Sequence, residues 1–232
     1  EPPMEPTVAL FTGLATTRSI RRYRPEEIPS SDLSAILWGA SRAPSGSNRQ
    51  PFRFLVLTNG PRAREAKAVL AESFRASWSH KRRHDGFDVG SGTRDDSPKS
   101  RQARSMQEYV DRFELVPAVV LVCLDRYRDP NPYEGASVYP ACQNLLLAAR
   151  ALGYGGVLTM WHLSVETELR RILSIPDNVA LSACITLGRP VGSHGPVRRR
   201  PMSELVFDGE GGHGAEWLDE EAAIARTASV DD

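Results

Sequence analysis

Lysine is scarce in this chain. Only Lys67, Lys81 and Lys99 stand among 29 basic residues, which balance 29 acidic ones to a formal net charge of zero. A chain without net positive charge does not hold a polyanion by bulk electrostatics, so no nucleic-acid partner is expected. The arginines that replace lysine suit two-pronged phosphate recognition, although a compositional bias of the source genome gives the same count. Cysteine is limited to Cys123, Cys142 and Cys184, each inside an apolar run and without CxxC or Cys/His spacing. That argues against a disulfide framework or metal site and predicts buried reduced thiols, as expected in a reducing cytoplasm. Long hydrophobic runs are missing too. The strongest, Val116 to Leu124, is far short of a membrane span, so no membrane partner is expected. No secretory leader is visible, and the chain opens without methionine. There is no GxGxxG motif after a strand and no P-loop, hence no separate dinucleotide domain. The five histidines offer no Ser-His-Asp arrangement, so no catalytic side chain is assigned.

What is present is ordinary globular material, 41% hydrophobic and 25% charged over 232 residues, enough for one large domain or two small ones. The stretch from Ala43 to Leu57, APSGSNRQPFRFLVL, organises the rest. An amphipathic helix with Leu33, Ile36, Leu37 and Ala40 on one face precedes it, with Ser30 or Ser31 as its cap. A polar loop follows, then a buried strand from Phe52 to Leu57. Such a loop presents backbone N–H groups and hydroxyls beside an apolar floor. It suits a flat heteroaromatic ligand, or else it merely satisfies its own backbone.

Elsewhere the pattern predicts a Pro-rich opening, a short apolar helical turn within Val8 to Leu14, and a helix starting at Pro61 with Ala66, Val69, Leu70, Phe74 and Trp78 on one face. Residues 79–105 contain only Phe87, Val89 and Ala103 as apolar side chains. They are expected as a mobile excursion, either a solvated loop or a lid. A short helix over Met106 to Phe113, a central strand over Val116 to Leu124 and a long apolar helix from Ser137 to Leu152 ended by Gly153 come next. The remaining elements are an extended VLTMW segment, a helix capped by Ser164 and stopped before Pro176, and a last strand from Leu181 to Leu187. Residues 208–214 read as a flexible spacer in a C-terminal extension, 208–232. There Trp217 and Leu218 anchor the tail on a neighbouring subunit, or the chain beyond Glu220 is disordered. The whole, 1–232, reads as one α+β domain with helices around a central sheet.

Four segments in order, RSIRRY (18–23), the serine-rich loop, YGGVLTMW (154–161) and LGRP…RRRPMSELV (187–206), resemble the FMN-dependent nitroreductase family from about Thr17 to Val206. The resemblance implies a central mixed sheet surrounded by helices, an intertwined homodimer, and FMN held between the subunits. Arg18 and Ser19 then match the phosphate and ribityl contacts, with Arg22 beside them. Arg21 matches the residue facing the flavin pyrimidine. Thr17 stands where the family often has a further basic residue. Arg199 matches the main phosphate ligand of the C-terminal clamp, flanked by Arg198 and Arg200. Pro44, Ser45, Gly46, Ser47, Asn48 and Gln50 match ribityl or ring contacts. Leu158, Thr159, Met160 and Trp161 would pass the flavin face, with Trp161 and His162 lining a substrate cavity. The arginine runs have a plainer reading as solvated edges. Implied is a ping-pong oxidoreductase in which NAD(P)H gives hydride to flavin N5 and a nitroaromatic, quinone or similar small-molecule acceptor is then reduced. The alternatives are a specialised flavoenzyme (flavin fragmentation, dehalogenation or metabolite dehydrogenation), a flavin-binding protein without turnover, or an α+β interaction domain without flavin.

Overall fold

An almost uninterrupted run of branched and apolar residues, Ala118–Asp125, forms β2, buried along all but its last residue. Two faces of such a strand must both be covered, and they are. Odd-numbered Val119, Leu121 and Cys123 face one core with Leu70, Phe74, Trp78, Met106 and Phe113. Even-numbered Val120, Val122 and Leu124 face another with Ile36, Ala40, Leu145 and Ala149. In this computed structural model, which describes residues 8–231, the first core lies under α3 (Pro61–His84), α4 (Pro98–Asp111) and α6 (Glu166–Leu173). The second lies under α2 (Ser30–Ser41) and α5 (Tyr139–Ala151).

β2 pairs with β1 (Phe52–Leu57) on one side and β4 (Val179–Gly188) on the other, and β3 (Gly155–Thr159) closes the order β1-β2-β4-β3. All three pairings are antiparallel. The α+β class is as expected, but the mixed sheet is not found. A parallel pair needs a further strand beside an edge, and the described residues supply none.

Several local expectations change. Residues 79–105 were expected as an apolar-poor loop, yet α3 continues to His84 and α4 begins at Pro98. One buried ring suffices to close what lies between: Phe87 packs against Trp78 at 5.2 Å, with the Lys99 ammonium 5.4 Å above it. Ion pairs Lys81–Asp85 and Arg82–Asp88 hold the helix end, and Ser97 caps α4 by accepting from the Ser100 N–H. Pro29, not Ser30 or Ser31, precedes α2, and no side chain caps it. Ser164 does not cap α6. Its hydroxyl instead sits 2.7 Å from that of Ser73, and Val165 takes the cap position.

The helix expected to open at Ser137 begins at Tyr139, after a separate 3-10 turn over Glu134–Ser137. Gly153 ends it with φ +78°, a conformation that favours glycine. The expected spacer 208–214 is a turn closed by a bridge between Phe207 and Gly214. Beyond it Glu220–Asp231 forms α7 rather than a disordered tail, against α1 (Leu10–Thr16). The Pro-rich opening, residues 1–7, lies outside the described residues. All three cysteines are buried and free.

Candidate functional site

β3 is an edge strand, and two arms of the chain dock on its first residues. The upstream arm is extended: the Ile20 N–H donates to the Gly156 carbonyl (2.9 Å), the Arg24 N–H to that of Arg189 (2.8 Å), and the Val191 N–H to that of Arg22 (2.9 Å). The downstream arm is held by the His194 ring, whose Nε2 lies 3.1 Å from the Tyr154 carbonyl, and by Val197, whose N–H donates to Ala15. Glycine is required where the arms cross. A Cβ on Gly155 would stand 2.6 Å from Ile20 Cγ1, and one on Gly156 would stand 2.5 Å from the Thr186 carbonyl.

Between the arms opens a cleft of about 840 Å³ lined by Thr17, Arg18, Ser19, Arg21, Arg198 and Arg199, with Gln143 and Leu146 of α5 and Gly156, Val157 and Leu158 of β3. Four guanidiniums line it and, among the described residues, no carboxylate does. In a molecule with no net charge that is a strong local concentration of one sign, with the forked geometry that phosphate oxygens match. Segments about 180 residues apart in sequence thus meet at one place. Thr17, where no basic residue stands, also lines the cleft. Its hydroxyl donates to the Gly13 carbonyl.

The phenols of Tyr23 and Tyr109 converge behind Arg21 on the Thr186 hydroxyl, at 2.8 and 3.0 Å. Burial raises both pKa values, so both phenols stay protonated. Their bonds tie the RSIRRY segment to β4. Arg21 itself makes no hydrogen bond or ion pair among the described residues and is half-buried.

Other expected residues lie elsewhere. Arg22 pairs with Glu108 of α4 at 2.9 Å and lines a cavity of about 180 Å³ that Arg21 also borders. Of the two, only Arg21 also lines the cleft. Arg200 points to solvent and approaches Glu204 at 3.9 Å. The loop carrying Pro44, Ser45, Gly46, Ser47, Asn48 and Gln50 does not line the cleft of its own chain. It precedes β1, and β1 and β3 are opposite edges of the sheet. The loop is nonetheless shaped: Ser47, Asn48 and Gln50 all have positive φ, near 50°, three of the four such non-glycine residues described. The Ser45 hydroxyl accepts from the Gln50 N–H (2.8 Å) and that of Ser137 from the Gly46 N–H (3.1 Å).

A smaller cavity of about 220 Å³ adjoins the cleft, sharing Arg21, Val157 and Leu158 with it. Trp78, Met106, Tyr109, Thr159 and Trp161 form its walls, and Lys81 and Gln102 complete the lining. Met160 is packed instead against the core under α2 and α5. His162, expected beside Trp161, is fully buried. Its Nε2 lies 3.1 Å from the Leu181 carbonyl, and burial lowers its pKa, so it is neutral. The α3 and α4 members of this cavity carried no local sequence signal, because core-facing residues of amphipathic helices look alike whether or not a void lies beside them. Among the described residues no cluster of potential metal ligands occurs.

Comparisons with known proteins bear on the family and the fold. The Nitroreductase family model matches residues 14–189. A protein of Archaeoglobus fulgidus, named provisionally as an NADH dehydrogenase/NAD(P)H nitroreductase, is 28% identical over 75% of this chain and 82% of its own length. An iodotyrosine deiodinase of Thermotoga neapolitana is 24% identical over 82% of this chain and 91% of its own. Among solved structures, a provisional nitroreductase of Desulfovibrio desulfuricans in complex with FMN superposes with a TM-score of 0.61, at 26% identity, covering 87% of this chain and 96% of its own.

Proposed function

The chain belongs to the nitroreductase family, and on that premise we propose that it is an FMN-dependent oxidoreductase using NAD(P)H to reduce nitroaromatics, quinones or similar conjugated acceptors. The observation that carries this reading is the meeting of Arg18, Arg21, Arg198 and Arg199 in one cleft that no carboxylate of the described residues lines. That donor set fits a phosphate dianion such as that of FMN. When bound, FMN supplies the centre that accepts hydride from the nicotinamide and passes reducing equivalents to the acceptor.

The residues of the chain bind and orient. Arg18, Arg198 and Arg199 hold the phosphate with charge-assisted hydrogen bonds, and Ser19 adds a hydroxyl. Arg21 would hold the pyrimidine edge, where a cation would favour the reduced, anionic ring system and raise its potential. Val157 and Leu158, which line both cavities, would support the ring, and the 220 Å³ cavity that shares them would admit donor and acceptor beside it. Donor and acceptor use it in turn, which makes the kinetics ping-pong.

In this reading a second copy of the chain supplies Ser45, Ser47, Asn48 and Gln50, since the loop and the cleft occupy opposite sheet edges. Exposed Leu10 and Leu14 on α1 and Ile224 and Val230 on α7 support an apolar face covered by that copy. Buried free thiols fit a reducing, cytoplasmic setting, and no helix among the described residues is long and apolar enough to cross a membrane. The iodotyrosine deiodinase relatives favour a second reading, reductive removal of halide from an aromatic ring at the same site.

The test is anaerobic. Purified protein should be yellow and release FMN on heating, and NADH or NADPH should bleach it. A nitroaromatic or quinone should then restore the colour. Colourless protein that takes up no FMN sinks the proposal, and loaded protein that neither nucleotide bleaches removes NAD(P)H as donor.

A further inference from the structure

We infer that His194 is a positioning residue for the phosphate clamp: its ring fixes the downstream arm to the sheet and thereby sets where Arg198 and Arg199 stand in the cleft. The inference rests on the oxidoreductase reading and deepens it with a residue that acts through its neighbours.

The arm has little to hold its course by itself. Residues 193–200 form neither helix nor strand. Gly192 and Gly195 stand on either side of His194 and its preceding serine, with Gly192 at φ +94°. Glycine gives the unfolded chain more conformations to lose, so such a stretch is costly to order. Its backbone is fastened at two points. The Val191 N–H donates to the Arg22 carbonyl at 2.9 Å, and the Val197 N–H to the Ala15 carbonyl at 3.0 Å. The first point ties it to the upstream arm and the second to α1, so neither reaches the sheet. The His194 ring does: its Nε2 lies 3.1 Å from the carbonyl of Tyr154, the residue before β3. The fit leaves little slack, since a Cβ on Gly155 would stand 3.1 Å from the same nitrogen.

Two observations connect this ring to the cleft. Pro196 and Val197, two and three residues on, line the cleft together with Arg198 and Arg199. A Cβ on Gly195 would lie 3.6 Å from a terminal nitrogen of Arg18, so the arm beside His194 also backs that guanidinium. Arginines from both ends of the chain are thus placed against one short stretch whose link to the sheet is the imidazole. The ring itself brings no charge to the phosphate. Burial holds its pKa below the ordinary 6.5, and the positive charges of Arg150 and Arg18 act in the same direction. A neutral ring facing a carbonyl carries its proton on Nε2. That N–H is the part that matters, and a glutamine amide can present one at the same place.

The experiment titrates flavin-free protein with FMN and with riboflavin, which lacks the phosphate, for the parent, His194→Leu, His194→Gln, Arg199→Ala and the double variant His194→Leu/Arg199→Ala. His194→Leu should weaken FMN roughly tenfold, the upper end for one hydrogen bond, and leave riboflavin unchanged. His194→Gln, which restores the donor, should stay within about threefold of the parent. In the double variant the loss should be smaller than the two single losses combined, because part of what the ring positions is gone. Unchanged FMN binding in His194→Leu, equal weakening of FMN and riboflavin, glutamine as poor as leucine, or strictly additive losses each overturn the inference. A parent that binds neither flavin refutes the flavoenzyme reading, whereas a parent that binds FMN no better than its His194 variants refutes only the role of the ring.

Discussion

Adjacent arginines in RSIRRY have opposite fates, and the difference is one of partners. Arg22 is neutralised by Glu108, whereas Arg21 reaches the cavities without an ion pair. Charge left unpaired beside a cleft is charge available to a ligand. Arg199 is in the same position: its one hydrogen bond goes to the neighbouring Arg198 carbonyl. Replacing it by alanine should weaken FMN retention by roughly 1.5–3 kcal/mol, the loss of a charged hydrogen bond, read as the dissociation constant of FMN for apoprotein. Arg200→Ala, already solvent-facing, should change it little. His162 gives a prediction in pH. Its folded-state pKa lies below the ordinary 6.5, so the unfolded chain binds the proton more readily. Stability is therefore intact above pH 6.5 and falls as pH drops below it, until the folded-state pKa is passed. His162→Gln should flatten that part of the melting temperature–pH curve relative to the parent. An unchanged slope would mean that the ring is not held neutral.

The α3–α4 hairpin shows how little apolar surface an element needs when it is well placed. Between His84 and Pro98 the chain is polar, yet Phe87 inserts against Trp78 and the helix ends are pinned by Lys81, Arg82 and Ser97. Phe87→Ala should cost about 3 kcal/mol and raise amide exchange selectively over residues 85–97. Uniform exchange changes would show that the ring anchors no local unit. Since Trp78 also walls the smaller cavity, the same variant should loosen aromatic ligand binding without loss of FMN. At β3 the limiting factor is space. Gly156→Ala places a methyl 2.5 Å from the Thr186 carbonyl and 2.8 Å from Leu187 Cδ2, a clash with backbone that should lower stability by roughly 1–3 kcal/mol.

At the scale of the whole molecule, the guanidinium cleft lies on the β3 side of the sheet and the left-handed serine loop precedes β1, at the opposite edge. Positive φ at Ser47, Asn48 and Gln50 stores strain that a bound ligand on that loop would account for. If a second copy completes the site, the protein should sediment as a dimer. Leu10→Asp on α1 should shift it toward monomer and lower FMN occupancy in parallel. A monomeric protein that binds FMN undiminished would overturn the shared-site arrangement.

Local pattern was enough for much of this. The run Phe52 to Leu57 is a strand by its short apolar length between turn residues, Pro61 opens α3 because its missing N–H costs nothing there, and the three cysteines are buried because their runs are. The motif resemblance predicts that arginines of both chain ends converge, and Arg18 and Arg199 line one cleft. What the sequence could not decide is what depends on a third element. Whether Arg22 or Arg21 is free depends on Glu108, and whether Trp161 or His162 faces a void depends on Trp78 and Met106 of α3 and α4. The order of residues 79–105 depends on one ring finding another. Periodicity reports which face of an element is apolar. Only the packing of elements against one another determines where that face closes and where it leaves a cavity.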